Sequence, residues 1–418
     1  MESILIQGGA SLFGEICVSG AKNAALPILA SCLLSEECLR LRNIPDLTDI
    51  QTMIDLLSGH GVQIQRRDDQ LELIASDIVN LVADYEIVRK MRASIWVLAP
   101  LLARFGYAKV SMPGGCTIGT RQVDMHLQLL EAMGAKIEVD DGYITASSKQ
   151  LQGVNFIFNK ISVGATVSGI LASVLAKGHT TLLNCAIEPE IIDLCNCLQN
   201  RGAKIKGIGS TKLMIEGIDE FNASEHSIIP DRIEAGTYMI AAAITKGNLL
   251  IKNIVYSHVE SLIMKLASCG VEITQENEGI RVRYVDQLNA TNISTDVFPG
   301  FPTDLQAQFT SLMTLARGTC IITENIFENR FMHVPELLRM NANIVINGNS
   351  LTIHGVNELH GARVKASDLR ASACLVLAGL AARGDTCIEK IHHLDRGYEK
   401  LERKLMQCGA QIERIFNN

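Results

Sequence analysis

A chain of 418 residues exceeds what one hydrophobic core usually serves, so two domains are expected. A hydrophobic content of 47% with 20% charged residues is ordinary for a soluble globular protein, and a net charge of −7 gives no general affinity for nucleic acid or an anionic membrane. Any anion site must therefore be a local cluster of cations. The first residues have neither a basic start nor a continuous apolar run, which argues against a signal peptide, and Lys, Arg or several polar residues interrupt every apolar stretch before it reaches membrane-spanning length. The 12 cysteines contain no CxxC pair and mostly sit in apolar patterns, as at Cys32, Cys374 and Cys387. They read as reduced, buried small hydrophobes of a cytoplasmic protein, and Cys195, Cys197, His392 and His393 are too isolated to argue for a metal.

Along the chain the organising feature is repetition. Gly61-Val62, Gly134-Ala135, Gly202-Ala203, Gly270-Val271, Asn341-Ala342 and Gly409-Ala410 each follow an amphipathic stretch. Their spacings are 73, 68, 68, 71 and 68 residues. Gly and Asn both tolerate the left-handed conformation that ends a helix. Six copies of one unit follow, each read as helix, strand, helix, strand, strand. In the second, 93–104 is predicted as a helix stopped by Gly106, 109–112 as a strand, and 123–133 as an amphipathic helix with Leu127, Leu130 and Met133 on one face. Strands 136–140 and 143–146 flank an Asp-Asp-Gly turn. The first helix of each unit is apolar nearly all round, as in 168–176 and 371–381, and must be buried. The expectation is buried helices inside and sheets outside.

Six units group as three and three. Domain one is expected over 22–229, and domain two over 1–21 plus 230–418, with a double crossover hinge near 19–22 and 227–231. The leading strands 4–6 and 14–18 read as a strand pair and are predicted to join the sheet of the second domain. A cleft between domains is the natural place for a ligand.

Aligning the units on the Gly that ends each first helix and stepping back fourteen residues gives Arg92, Gly164, Asp304 and Arg370. Lys22 precedes Glu36 by the same interval, and Arg232 needs fifteen. Five of six buried helices thus start with a charge. Basic groups beside helix N-termini suit phosphate and carboxylate. Pairing with Asp46, Asp49, Glu188 or Glu190 is the competing account of any single charge. The set as a whole favours a site. One loop, 111–124, adds three glycines and Pro113 around Cys116, with Arg121 and Asp124 following. Glycine lets backbone approach a ligand, and a neighbouring cation favours a thiolate. Strand and helix in the other units are joined by shorter turns, so this loop reads as an embellishment, and 112–122 as a lid.

Several long motifs carry a family resemblance. They include Ser19-Gly-Ala-Lys-Asn-Ala-Ala-Leu-Pro27, Arg92-Ala-Ser-Ile-Trp96, Pro113-Gly-Gly-Cys-Thr-Ile-Gly119, Lys160-Ile-Ser-Val-Gly-Ala-Thr166, Glu188-Pro-Glu-Ile191 and Asp231-Arg-Ile-Glu234. Phe301-Pro-Thr-Asp-Leu-Gln-Ala-Gln308, Phe327-Glu-Asn-Arg-Phe-Met-His333, Asp368-Leu-Arg-Ala-Ser372 and Asp395-Arg-Gly-Tyr-Glu399 complete the series. In order and over the whole chain these resemble the UDP-N-acetylglucosamine enolpyruvyltransferases. The resemblance implies an α/β fold of two inside-out α/β barrel domains, each of three units. It implies transfer of the enolpyruvyl group of phosphoenolpyruvate to the 3-hydroxyl of UDP-N-acetylglucosamine, with release of phosphate, as the first committed step of peptidoglycan synthesis. Cys116 takes the proton-donor role and is able to add covalently to the enolpyruvyl group. Asp304 takes the base role. Lys22, Asn23, Arg121, Arg370 and Arg396 are implied for phosphoenolpyruvate. Asn23, Arg92, Arg121, Gln122, Val123, Asp124, Met125, Lys160, Ile161, Ser162, Val163, Asp304 and Ile326 are implied for the nucleotide sugar. No cofactor, metal, nucleic acid, membrane or protein partner is implied, and inactivation by fosfomycin at Cys116 is.

Gln122 stands where the family commonly has proline, which loosens the loop. Trp96 reads as a core residue on its apolar helix, and His126 and His393 as solvated or structural. Two rivals are the sister enzyme acting on shikimate 3-phosphate and a non-enzymatic repeat scaffold. Cys116 and the Lys160 run argue against the first, and the charged helix starts against the second.

Overall fold

The computed structural model describes residues 2–67, 70–112 and 123–416. Cys116, Arg121 and Gln122, and the segment read as a lid beyond Met112, lie outside the described residues. The described residues form two compact units, one over 20–112 and 123–229, the other over 2–19 and 230–416.

Six four-stranded sheets are present among the described residues, three in each unit. One plan recurs. An edge strand runs parallel to its neighbour, and two antiparallel strands then complete the sheet, joined as a hairpin in five of the six. In the third repeat Asn155–Ile157 lies parallel to His179–Leu183, which pairs with Lys212–Glu216, which pairs with Lys204–Lys206. Alternate strand residues are buried, as in the buried-exposed rhythm of Leu39–Arg42. That alternation is the mark of a sheet with one wet face.

The buried faces cover helices whose side chains are buried nearly all round. In the first unit these are Lys22–Ala30, Leu98–Phe105 and Val163–Ser173. In the second they are Arg232–Ile244, Gln306–Met313 and Leu369–Ala381. Each unit has its own hydrophobic core built on its three helices and the inner faces of its three sheets. Buried helices inside and sheets outside thus hold within each unit.

Three local readings are adjusted by the structure. The helix predicted over 93–104 begins as a 3-10 turn, Arg92–Val97, and becomes α-helical only at Leu98. Pro100 is the reason: it has no N–H and its ring crowds the carbonyl four residues back, so the regular ladder begins only beside it. The amphipathic helix spans Asp124–Ala132, and the Asp-Asp-Gly turn places Asp141 and Gly142 at positive φ between paired strands. The leading strands do not pair with each other. Glu2–Gln7 lies between Asp385–Glu389 and Gln411–Phe416, while Phe13–Cys17 runs parallel to Asn248–Lys252.

The repeat marks take the conformation expected of them. Gly61, Gly134, Gly202, Gly270, Asn341 and Gly409 all have positive φ. The described cysteines are all free, yet not all buried: Cys17 is exposed, and Cys38 and Cys387 are half-buried. Cys17 and Cys387 lie on strands, where an apolar pattern does not reveal which face meets water.

Candidate active site

In the first unit Lys22 opens its buried helix, and its Nζ lies 3.1 Å from an Asp49 carboxylate oxygen. Both side chains are buried, so the competing account from the sequence, pairing with Asp49, is realised for this lysine. The pair holds the ammonium group in place at a helix N-terminus that no side chain caps. Asn23 beside it is half-buried.

Arg92 starts the 3-10 turn, and its charge is felt by His126. Burial first, and the Arg92 charge second, push the His126 imidazole down to about 4, so it is neutral. Its Nδ1 sits 2.7 Å from the Ser168 hydroxyl. His126 is therefore structural, buried and partnered rather than solvated. The same contact accounts for Gly164, the one uncharged helix start: a Cβ there would lie 3.2 Å from His126 Nε2. Trp96 donates through Nε1 to the Gly164 carbonyl at 3.2 Å, so this half-buried tryptophan ties two helix starts together. Ser162 caps the Val163 helix by accepting from the Ala165 N–H at 3.3 Å. Lys160 and Asp124 are exposed, Met125, Ile161, Ser162 and Val163 are half-buried, and Val123 is buried.

In the second unit Asp304 is the centre of the charged set. It lies on the short turn Thr303–Leu305 that leads into the Gln306 helix. Its Oδ1 accepts from Arg330 Nη2 at 2.5 Å and its Oδ2 from Arg370 Nη2 at 2.7 Å. Burial works against the Arg370 charge, but Asp304 and then Tyr398 beside it hold the guanidinium above its ordinary value, so it stays a cation. Both arginines are buried, while the Asp304 side chain remains 25% exposed. The carboxylate is thus the accessible part of a fixed ion triad.

Supporting contacts set this geometry. Glu324 accepts from the Thr303 hydroxyl at 2.9 Å with one oxygen, and from the Ile326 and Phe327 N–H groups at 2.9 and 3.1 Å with the other. It therefore ties Ile326, half-buried, to the turn bearing Asp304. Arg396 ends the turn Ile391–Arg396 and is half-buried. Its neighbour Asp395 grips Arg414 through both oxygens at 2.9 and 2.6 Å, which anchors the turn. His393 in the same turn is half-buried, with burial and the neighbouring His392 lowering its proton affinity.

The helix starts differ in what they offer an anion. Asp231 and Asp368 cap the Arg232 and Leu369 helices by accepting from their first N–H groups. At those two starts the cations, rather than backbone N–H groups, are what a ligand would meet. Arg232 lies with its guanidinium carbon 5.6 Å from the centre of the Phe298 ring. Asp304 and Arg370, both helix starts in the sequence comparison, pair directly in the structure, whereas Arg330 had no role in that comparison. Arg330 lies in the quoted 327–333 motif, outside the fourteen-residue register, so the comparison of repeats could not surface it.

A family model described as EPSP synthase (3-phosphoshikimate 1-carboxyvinyltransferase) matches residues 6–405. Among curated relatives, a protein of Rickettsia bellii and one of Rickettsia akari are each 55% identical over 420 residues, covering 99% of this chain and 100% of theirs. One of Rickettsia conorii is 56% identical with the same coverage. All three are named UDP-N-acetylglucosamine 1-carboxyvinyltransferase. The fold is similar to the crystal structure of the enolpyruvyl transferase NikO from Streptomyces tendae, with a TM-score of 0.90 at 23% identity, covering 100% of this chain and 99% of that one. It is also similar to EPSP synthase from Acinetobacter baumannii, with a TM-score of 0.78 at 16% identity over 100% of both chains. A family match over nearly the whole length, relatives more than half identical, and the similar fold make one conclusion: the chain belongs to the EPSP synthase family of enolpyruvyl transferases.

Proposed function

We propose that this protein transfers the enolpyruvyl group of phosphoenolpyruvate to the 3-hydroxyl of UDP-N-acetylglucosamine and releases phosphate. The observation that carries the reading is full-length identity of 55% to relatives of that name, in a chain where five of six buried helices start on a charge, four of them cations and one the Asp304 carboxylate. The reaction serves the first committed step of peptidoglycan synthesis, in the cytoplasm.

The chemistry is addition followed by elimination. The sugar O3 bonds to C2 of the enol while C3 takes a proton. C3 then loses a proton and the C2–O bond to phosphate breaks. Cys116 supplies the proton to C3. Asp304 accepts the hydroxyl proton, or orients that hydroxyl, from its place between Arg330 and Arg370. Lys22, Asn23, Arg121, Arg370 and Arg396 hold phosphoenolpyruvate, whose phosphate and carboxylate need several prearranged cations. Arg92, Arg121 through Met125, Lys160 through Val163 and Ile326 line the nucleotide sugar, with Asn23 and Asp304 at its reacting end. The chain passes between the two units at 19–20 and 229–230, within the segments near 19–22 and 227–231 that we take as the hinge.

The deciding experiment offers phosphoenolpyruvate with each acceptor and measures phosphate. Release with UDP-N-acetylglucosamine alone is expected; release with shikimate 3-phosphate alone would overturn the reading. Cys116→Ser is expected to keep the fold and lose turnover, together with fosfomycin labelling.

A further inference from the structure

One buried group joins all three helix starts of the second unit and has no role in the reaction as described. Tyr398, in the motif 395–399, is 2% exposed, and its hydroxyl lies 2.9 Å from Thr237 Oγ1, 3.0 Å from Gln308 Nε2 and 3.4 Å from Arg370 Nη1. The direction of each bond follows from what the groups can do. An arginine and an amide nitrogen only donate, so the Tyr398 oxygen accepts from both. Its own proton must then go to Thr237, whose proton goes to the Ile233 carbonyl at 2.8 Å. The result is a one-way chain, from Arg370 to Tyr398 to Thr237 to helix backbone, whose acceptor end faces the guanidinium. The ring adds to this, lying with its centre 5.8 Å from the Arg370 guanidinium carbon.

Arg370 is thereby held at two ends. Nη2 is on Asp304, and Nη1 on Tyr398. Gln308 reinforces the arrangement by donating to the Asp304 backbone carbonyl at 2.9 Å. When substrate competes for the Asp304 side of the guanidinium, the Tyr398 side is what remains to fix its plane. We infer that Tyr398 is a positioning residue for phosphoenolpyruvate: its hydroxyl orients Arg370, and Thr237 orients that hydroxyl. The inference rests on the role proposed above for Arg370.

The test is Tyr398→Phe in the full-length protein, which keeps the ring and removes the acceptor. Loss of a hydrogen bond to a charged group predicts a KM for phosphoenolpyruvate raised about tenfold, with kcat and the KM for UDP-N-acetylglucosamine changed less than about twofold. Thr237→Val, which cuts the next link, should raise the same KM by a smaller factor. Unchanged KM for phosphoenolpyruvate in both variants, or equal rises for both substrates, would refute the assignment. A lowered melting temperature with unchanged KM would mean that Tyr398 is only structural. If the wild-type protein made no product at all, the transfer reading would fail. The dissociation constants of phosphoenolpyruvate for wild type and Tyr398→Phe would still decide the role of Tyr398.

Discussion

Asp304 has a buried guanidinium on each oxygen, and this decides how a carboxylate can act there. Two cations fix its position and favour its charged form, so its value is to aim a hydroxyl as much as to take a proton. Asp304→Asn keeps the shape but leaves two buried arginines facing a neutral amide. Turnover should fall about a hundredfold or more, the scale of a lost acid–base group, with the fold retained. Steady-state kinetics beside a melting curve checks this, and turnover within a few fold of wild type would remove Asp304 from the chemistry. Two histidines give a separate, pH-dependent outcome. Burial pushes both His126 and His333 down to about 4, from an ordinary value of 6.5. Below pH 6.5 the unfolded chain takes up protons that these folded imidazoles refuse. The folded state therefore loses stability as pH falls from 6.5 towards 4, by up to about 3 kcal/mol for each histidine. Urea midpoints measured from pH 7 to 4 should fall less steeply for His126→Asn than for wild type, and parallel curves would show that His126 does not contribute.

At the scale of elements, the six left-handed marks and the fourteen-residue step were readable because they depend on backbone geometry that few residues tolerate. The fourth unit is instructive. Gly247 lies fifteen residues after Arg232, yet the residue at positive φ is Lys246, fourteen after it. In this unit the fourteen-residue step therefore holds, with glycine one position later, whereas in the first repeat Glu36 holds the slot without a positive φ. Gly247 is glycine for another reason: a Cβ there would come within 2.2 Å of the Leu12 carbonyl oxygen. Gly247→Ala should therefore cost at least about 2 kcal/mol, as over-packing against fixed backbone does. Lys246→Gly should be neutral or stabilising, since glycine adopts positive φ freely. Chemical denaturation of both variants separates the two positions, and the reverse ranking would contradict this account. The helix starts were legible as a set, whereas Arg330, Glu324 and Tyr398 were not. Their roles depend on contacts between elements that no fixed spacing within the chain encodes. The 3-10 start at Arg92 was missed because an apolar pattern does not distinguish one helix type from another, although Pro100 was visible.

At the scale of the whole molecule, repetition leaves a problem at the ends of the chain, and the first strand solves it. Five sheets take their two inner strands and the hairpin edge from consecutive stretches of chain. The last repeat has only Gln411–Phe416 after its final helix, one strand short. Glu2–Gln7 fills the gap and pairs antiparallel on both sides, with Ile4 and Ile6 fully buried. The sequence showed these residues as strands, but the vacant slot became visible only once the strand order was known. The position is a central one, so its loss strands two neighbouring edges as well as two core side chains. Ile4→Ala alone should cost about 2–5 kcal/mol. Removing residues 2–7 deletes both isoleucines and two ladders of backbone hydrogen bonds, which exceeds the 5–15 kcal/mol that usually holds a domain. The truncated chain is therefore expected to lose the 230–416 unit while 20–229 keeps its protease-resistant core. Limited proteolysis with fragment mass measurement tests this. A truncated protein that resists protease throughout both units would show that the sheet closes without its first strand. Rescue by a peptide of residues 1–12 added in trans would show that the slot itself, rather than some effect on folding order, is what the strand supplies.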